Sequence, residues 1–420
     1  MMNRLISQLR RSYKSITILF LILTIMQCFD IYNIIFDITN KPTENESSTR
    51  VPQFRGRNEV SCKKIIEGDS TELTLAYSHM NKYVYQISPD KYFTYLSTNC
   101  SVLNDFMFYY KFPITEEELK FPIAFIILMY KDVEQVVRLL RALYRPQNYY
   151  CIHVDLSAPG ETHLAIDSIA RCYGNIFVVS KKVDIIYGHI SRLNAEINCM
   201  SDFAKRSTSW KYVLNIPSQQ YPLKTNVEIV KMLTKLNGSN IVEGVLNQSR
   251  TIKDRYEHRF FAFRNDLHRF GKKTPFHNKN IAIVKGLAIG AFSYKFVRFV
   301  LENKVARELL IWMKDIYSPD EYYWATLNYN AAIPAPGRYI GDPKDLSFLV
   351  VYISWGALTN SNRCHGKIVR DICIFGIEDL HTLVGLPHMF ANKFYLDYQP
   401  LTLDCLEEWY FSKAINRNIK

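Results

Sequence analysis

"FPIAFIILMYKDVEQVVRLLRALYRPQNYYCIHVD", Phe121 to Asp155, is the stretch whose reading decides the fold. Phe121 to Met129 is an apolar run that reads as a buried strand. Asp132 with Gln135 suits the cap of a following helix, whose Val133, Val136, Val137, Leu140 and Leu143 fall at helical spacing. Pro146 ends that helix, and "YYCIHV" (Tyr149 to Val154) is a second strand finishing at Asp155. The alternation continues downstream with a helix near Glu161 to Cys172, the strand "NIFVVS", a helix from Ile190 to Lys205, the strand "WKYVLNI" and a helix in "TNVEIVKMLTKL". Strand–helix alternation predicts an α/β fold with a mostly parallel central sheet and ligands at the carboxyl ends of its strands, where Asp155 stands. An acidic residue after a strand is more often a turn or cap residue than a ligand contact.

Upstream of this region, Arg4, Arg10, Arg11 and Lys14 precede "ITILFLILTIMQCF", Ile16 to Phe29, which has no charge. Extending it to Phe36, with Asp30 near the interface, gives the ~20 residues a span needs. Basic residues before the segment leave the N-terminus on the cytoplasmic side. The expected organisation is a tail over 1–15, a transmembrane signal-anchor over 16–36, a polar, proline-containing stem over 37–61 and a globular part over 62–420; a cleaved signal peptide is the rival. Of the nine cysteines, Cys28 lies in the apolar segment. The rest (Cys62, Cys100, Cys151, Cys172, Cys199, Cys364, Cys373 and Cys405) form an even set that fits an oxidising compartment, and spacing does not choose among ~105 pairings. The sequons at Asn45, Asn99, Asn237 and Asn247 fit the same compartment, with Asn99 crowded by Cys100.

A net charge of +12 suits nucleic acid, a membrane surface or a small anion, and no nucleic-acid signature accompanies it. The chain lacks GxGxxG after its first strand, a P-loop, HExxH, any D-x-D triplet and the GxSxG elbow, so no metal site, nucleotide cradle or hydrolase motif is legible. "YSPDEYYWAT", Tyr317 to Thr326, places Asp320 and Glu321 side by side. Locally it reads as a capping box, with Ser318 as N-cap and Glu321 reaching back to it. Neighbouring carboxylates diverge on a helix, which speaks against the paired carboxyls of a glycosidase.

Several blocks in order, "FPIAFIILMYKDVEQVVRLLRALYRPQNYYCIHVD", "SWKYVLNIPSQQYPLKTNVEIV", "YSPDEYYWAT", "VRDICIFGIEDL" and "HMFANKFYLD", together with "SCKKIIEGD" at Cys62, resemble the core-2/I-branching β-1,6-N-acetylglucosaminyltransferases. The likeness runs from about Cys62 to about Cys405. It implies a single-pass type II Golgi membrane enzyme whose lumenal GT-A-like domain moves GlcNAc from UDP-GlcNAc, with inversion and without a metal or other cofactor, onto a mucin-type O-glycan. It gives Glu321 the general base's role, and Arg370 and Lys393 the diphosphate. Leu128, Met129, Tyr130, Asp155 and Tyr187 match donor-site positions. Glu243, Arg255, Lys344 and Trp355 fall at acceptor positions. The implied disulfides are Cys62–Cys405, Cys100–Cys172, Cys151–Cys199 and Cys364–Cys373.

The chain departs from the family at Ala357, where an acceptor-contacting tyrosine is expected, and in "IPSQQYP", where Pro217 stands for an unpaired cysteine. Trp355 suits a sugar-stacking platform or a core position equally. The readings to separate are a GlcNAc transferase, a relative using UDP-xylose or UDP-glucose, and a non-catalytic carbohydrate-binding protein. The precise acceptor and association into a homodimer stay open.

Overall fold

The computed structural model describes residues 59–83, 85–107, 114–356 and 364–416. The expected anchor, nearly all of the stem, Asn45 and Ala357 lie outside these residues, and no helix among the described residues is long and apolar enough to cross a membrane.

The strands in chain order are β1 (Ile123–Met129), β2 (Tyr149–Val154), β3 (Ile176–Val178), β4 (Tyr212–Pro217), β5 (Gln220–Pro222), β6 (Ile241–Val242), β7 (His258–Phe263), β8 (Asp266–Lys272), β9 (Gly290–Ser293), β10 (Val351–Ile353), β11 (Lys367–Val369), β12 (Ile372–Ile374) and β13 (Phe390–Asn392). Six of them form the central sheet in the order β3-β2-β1-β4-β9-β6. β1, β2, β3 and β4 are parallel, and only β9 runs against its neighbours. Every residue of β1 is buried, as expected of a strand covered by helices on both faces. Alternation then divides the core: Ile123, Phe125, Ile127 and Met129 enter one apolar cluster, Ala124, Ile126 and Leu128 the other. The expected helices are present as Val133–Leu143, Gly160–Arg171, Ser191–Arg206 and Asn226–Lys235.

The cap read at Asp132 and Gln135 is not made. Asp132 has φ 60° and gives no side-chain cap; its carboxylate lies 3.0 Å from Lys131. Gln135 donates from Nε2 to Phe394 O, and the Val133 N–H is taken instead by Asp90 Oδ1 at 3.3 Å. Tertiary partners replace the local motif.

A third apolar cluster underlies the C-terminal helix Pro400–Asn416. Arg138 and Arg141 of Val133–Leu143 meet Asp404 and Glu407 of that helix, and Glu407 is fully buried. The disulfide Cys62–Cys405 ties the same helix to Cys62–Glu67; the other bridges are Cys100–Cys172, Cys151–Cys199 and Cys364–Cys373. These are the pairs the resemblance implies. β13 lies between β10 and β5, which brings the chain after Asn392 to the carboxyl ends of β1 and β4.

Candidate active site

Glu321 lies in the first turn of the helix Asp320–Asn328, whose remaining residues are buried almost throughout. The capping box read at Ser318 does not form: Ser318 has φ 51°, and the helix has no side-chain cap. Backbone contacts set its start. The Ser318 N–H donates to Gly188 O at 2.6 Å and the Tyr317 N–H to Arg255 O at 2.9 Å. The freed Glu321 carboxylate turns to cations instead. Oε2 accepts from Arg255 Nη1 at 3.0 Å and lies 3.2 Å from Lys285 Nζ, while Oε1 has no such partner among the described residues.

Glu243, just after β6, completes this end. Burial raises its pKa, Lys285 opposes that shift and Glu321 adds to it, so the groups share one electrostatic environment. Gly286 makes the approach possible: its N–H donates to Glu321 O at 2.7 Å, and a Cβ there would stand 2.2 Å from Glu243 O. Lys344 is exposed in the short turn Pro343–Asp345, whose Pro343 packs on Gly244 beside Glu243.

The second group of candidates gathers at the carboxyl ends of the parallel strands. Asp155 is buried and its carboxylate takes three hydrogen bonds: Oδ1 accepts from Ser157 N and Oγ, and Oδ2 from Ile185 N at 3.0 Å. It thereby fixes both the turn after β2 and the loop carrying Tyr187. Tyr130 and Tyr187 are exposed, and the Arg370 guanidinium lies 4.9 Å above the Tyr187 ring. Leu128 and Met129 present backbone here, Leu128 O accepting from Ser218 N and Met129 O from Asp155 N.

Arg370 and Asp371, with φ 50° and 61°, form the two-residue turn between β11 and β12. Lys393 follows β13, and its pKa is lowered by burial and by Arg370, so the two cations act on each other. Trp355 bridges to Ile372 and is partly exposed, which puts it beside the Arg370 turn and excludes a core position.

Tyr317 joins the two groups. The Arg255 guanidinium lies 5.3 Å from its ring, and its hydroxyl, raised in pKa by burial, feels Tyr187, Arg255, Glu321 and Arg370. Tyr317 and Lys285 escaped the sequence reading. Lys285 sits in an unpatterned loop, "VKGLA", with no local signal to mark it. Lys367 and Lys131 were missed as well; with Lys393 they surround the Tyr395 ring at 5.6, 5.6 and 5.2 Å from its centroid.

Among the described residues, the one group with metal-ligand spacing is Cys364, Cys373 and Asp379. Its sulfurs are joined as a disulfide, and Asp379 accepts from the backbone N–H groups of His365 and Gly376. Asn237 and Asn247 are exposed on loops; Asn99 is exposed, but its Oδ1 accepts from Ser101 N.

A sequence profile described as Core-2/I-Branching enzyme matches residues 123–384. The human Beta-1,3-galactosyl-O-glycosyl-glycoprotein beta-1,6-N-acetylglucosaminyltransferase is 32% identical over 388 residues, which is 88% of this chain and 89% of that protein. The human N-acetyllactosaminide beta-1,6-N-acetylglucosaminyl-transferase is 38% identical over 315 residues, 73% of this chain and 76% of that protein. A Beta-1,3-galactosyl-O-glycosyl-glycoprotein beta-1,6-N-acetylglucosaminyltransferase 3 from Ovis aries is 35% identical, covering 86% of this chain and 84% of its own. A solved 4-diphosphocytidyl-2C-methyl-D-erythritol synthase from Anaerococcus prevotii overlaps 45% of this chain and 79% of its own at TM-score 0.24 and 12% identity, too slight a likeness to bear on function. With that profile and relatives of this extent, the chain belongs to the core-2/I-branching enzymes, a family of glycosyltransferases.

Proposed function

We propose that this protein transfers GlcNAc from UDP-GlcNAc, in β-1,6 linkage and with inversion, onto a mucin-type O-glycan. The relatives' names supply the sugar and linkage, and the order of the parallel strands supports a GT-A-like fold. One observation carries the chemistry: a carboxylate with one oxygen uncommitted, Glu321, is a single tyrosine away from cations that lack carboxylate partners among the described residues. Glu321 Oε1 takes the proton of the acceptor hydroxyl as that oxygen bonds to the anomeric carbon. The bond from the anomeric carbon to the diphosphate breaks on the opposite face, and UDP leaves with the electron pair. Arg370 and Lys393 offset its growing charge, a task that many nucleotide-sugar transferases give to a metal held by a D-x-D triplet this chain lacks. Glu243, Arg255 and Trp355 orient the acceptor. The basic residues before Ile16 and the oxidised cysteines support a type II Golgi membrane enzyme with its catalytic part in the lumen.

The test is transfer from UDP-GlcNAc to Galβ1,3GalNAc by the full chain, made in a secretory host and assayed with EDTA beside Glu321→Gln. Transfer that survives EDTA and disappears in the variant is expected. UDP binding without transfer moves the search to other sugars and acceptors. No UDP binding by the folded protein rejects the enzyme reading.

A further inference from the structure

Beneath Glu321 lies a charge cluster that the chemistry above does not use. Arg192, on Ser191–Arg206, donates from Nη1 to Asp320 Oδ2, the residue directly before Glu321. Its other terminal nitrogen, Nη2, lies 3.6 Å from Glu196 Oε1, one turn along the same helix. Glu196 is 1% exposed and Asp320 5%. Glu196 Oε2 accepts from Trp324 Nε1 at 3.2 Å, and Trp324 belongs to the helix that Glu321 begins. Thus both ends of one salt-bridge network grip the first and second turns of Asp320–Asn328.

We infer that Arg192, with Asp320 and Glu196, is a positioning residue that locks the first turn of this helix and so fixes where the Glu321 carboxylate points. The inference rests on Glu321 being the base. Backbone hydrogen bonds set the start of this helix, but its expected side-chain cap is absent, so the Asp320 side chain is held by a partner from another helix. Misplacing a reacting group by about an ångström costs on the order of a hundredfold in rate.

The lock also contains a group that titrates near neutrality. The groups facing Glu196 are Arg192 on its own helix, Asp320 and Trp324 on the helix it grips, and Asn215 on β4. Burial, with a smaller push from Asp320, raises the Glu196 pKa to about 7 against the pull of Arg192. When Glu196 is protonated, the guanidinium serves Asp320 alone. When it ionises, two carboxylates compete for one cation, and the hold on Asp320 weakens.

The experiment compares the full chain with Arg192→Lys, Asp320→Asn and Glu196→Gln, measuring kcat, acceptor KM and UDP affinity across pH. Arg192→Lys and Asp320→Asn are expected to lower kcat about ten- to a hundredfold, with UDP affinity within about twofold. Wild-type kcat falls as pH rises through about 7, and Glu196→Gln removes that fall. Wild-type kcat in Arg192→Lys, or equal losses in kcat and UDP affinity, overturns the lock. An unchanged pH profile in Glu196→Gln overturns its proton. Glu321→Gln, run alongside, separates the two readings. If it transfers normally the base assignment fails, and amide exchange over 321–324 still judges the lock, being faster in Arg192→Lys only if the lock exists.

Discussion

Around Glu321 the cations are neutralised: Arg255 and Lys285 converge on one carboxylate oxygen, and Glu243 stands close enough to feel both Lys285 and Glu321. On the other side of Tyr317, Arg370, Lys393 and Lys367 have no carboxylate within ion-pair distance among the described residues, and they lean on the rings of Tyr187, Tyr395 and Tyr398 instead. On the proposed function, the difference lets one cleft handle two ligands. Uncompensated cations attract a diphosphate. Paired charges are already solvated by each other, and suit a neutral, hydroxyl-rich sugar that needs orientation rather than attraction.

The sharpest way to break this contrast is to remove the proposed base. Glu321→Gln is expected to lower kcat about 10²- to 10⁴-fold, and calorimetry should find UDP affinity within about twofold of wild type. Next comes the unneutralised end. Losing a charge-assisted contact in Arg370→Ala weakens UDP binding about ten- to a hundredfold, with acceptor KM far less affected. An equal loss on both substrates ends the division of labour.

Lys285→Met leaves Glu321 with Arg255 alone, and is expected to reduce kcat about three- to tenfold without changing UDP affinity. Acidity separates the ends too. Burial and Arg370 lower the Lys393 pKa, so UDP affinity declines with rising pH before an ordinary lysine would titrate. Burial raises the Glu243 pKa, so acceptor KM rises with falling pH before an ordinary glutamate would protonate, and Glu243→Gln abolishes that rise. The smallest effect belongs to Lys344→Ala. That side chain is exposed, and acceptor KM should move less than about twofold.

The parallel core was legible because its signal is local and redundant. β1 is buried along its whole length, so its sequence is apolar throughout, and the helix after it shows its buried stripe at helical spacing. The same reading failed at both caps, for one physical reason. At Asp132 and at Ser318 the backbone is in the left-handed region, and the first turns take partners from afar: Asp90 for the Val133 N–H, Arg192 for Asp320. Motif spacing carries no trace of such contacts. Family likeness singled out Glu321, Arg370 and Lys393 as candidates, but Lys285 reaches Glu321 from a loop that no pattern marks, and Lys367 reads as one more exposed strand residue. Trp355 matched an acceptor position, and its backbone pairs with Ile372 of the strand following Arg370, a pairing that its local sequence does not announce.

The bridge between Cys62 and Cys405 spans 343 residues and joins the first described helix to the last. At a synthesis rate of about 5–20 residues per second, Cys62 waits roughly 17–70 s for its partner to be made. During that interval the Cys151 and Cys199 thiols, only 48 residues apart, are both already present. The sheet can thus be stapled while the polypeptide is still growing. The closing thiol, Cys405, lies within the C-terminal helix between Asp404 and Glu407, which meet Arg138 and Arg141. A nascent chain released a few residues short of Cys405 would lack the partner of Cys62 and, with Asp404 and Glu407, the carboxylates that meet Arg138 and Arg141, a combination that a folding-quality machinery can recognise as unfinished.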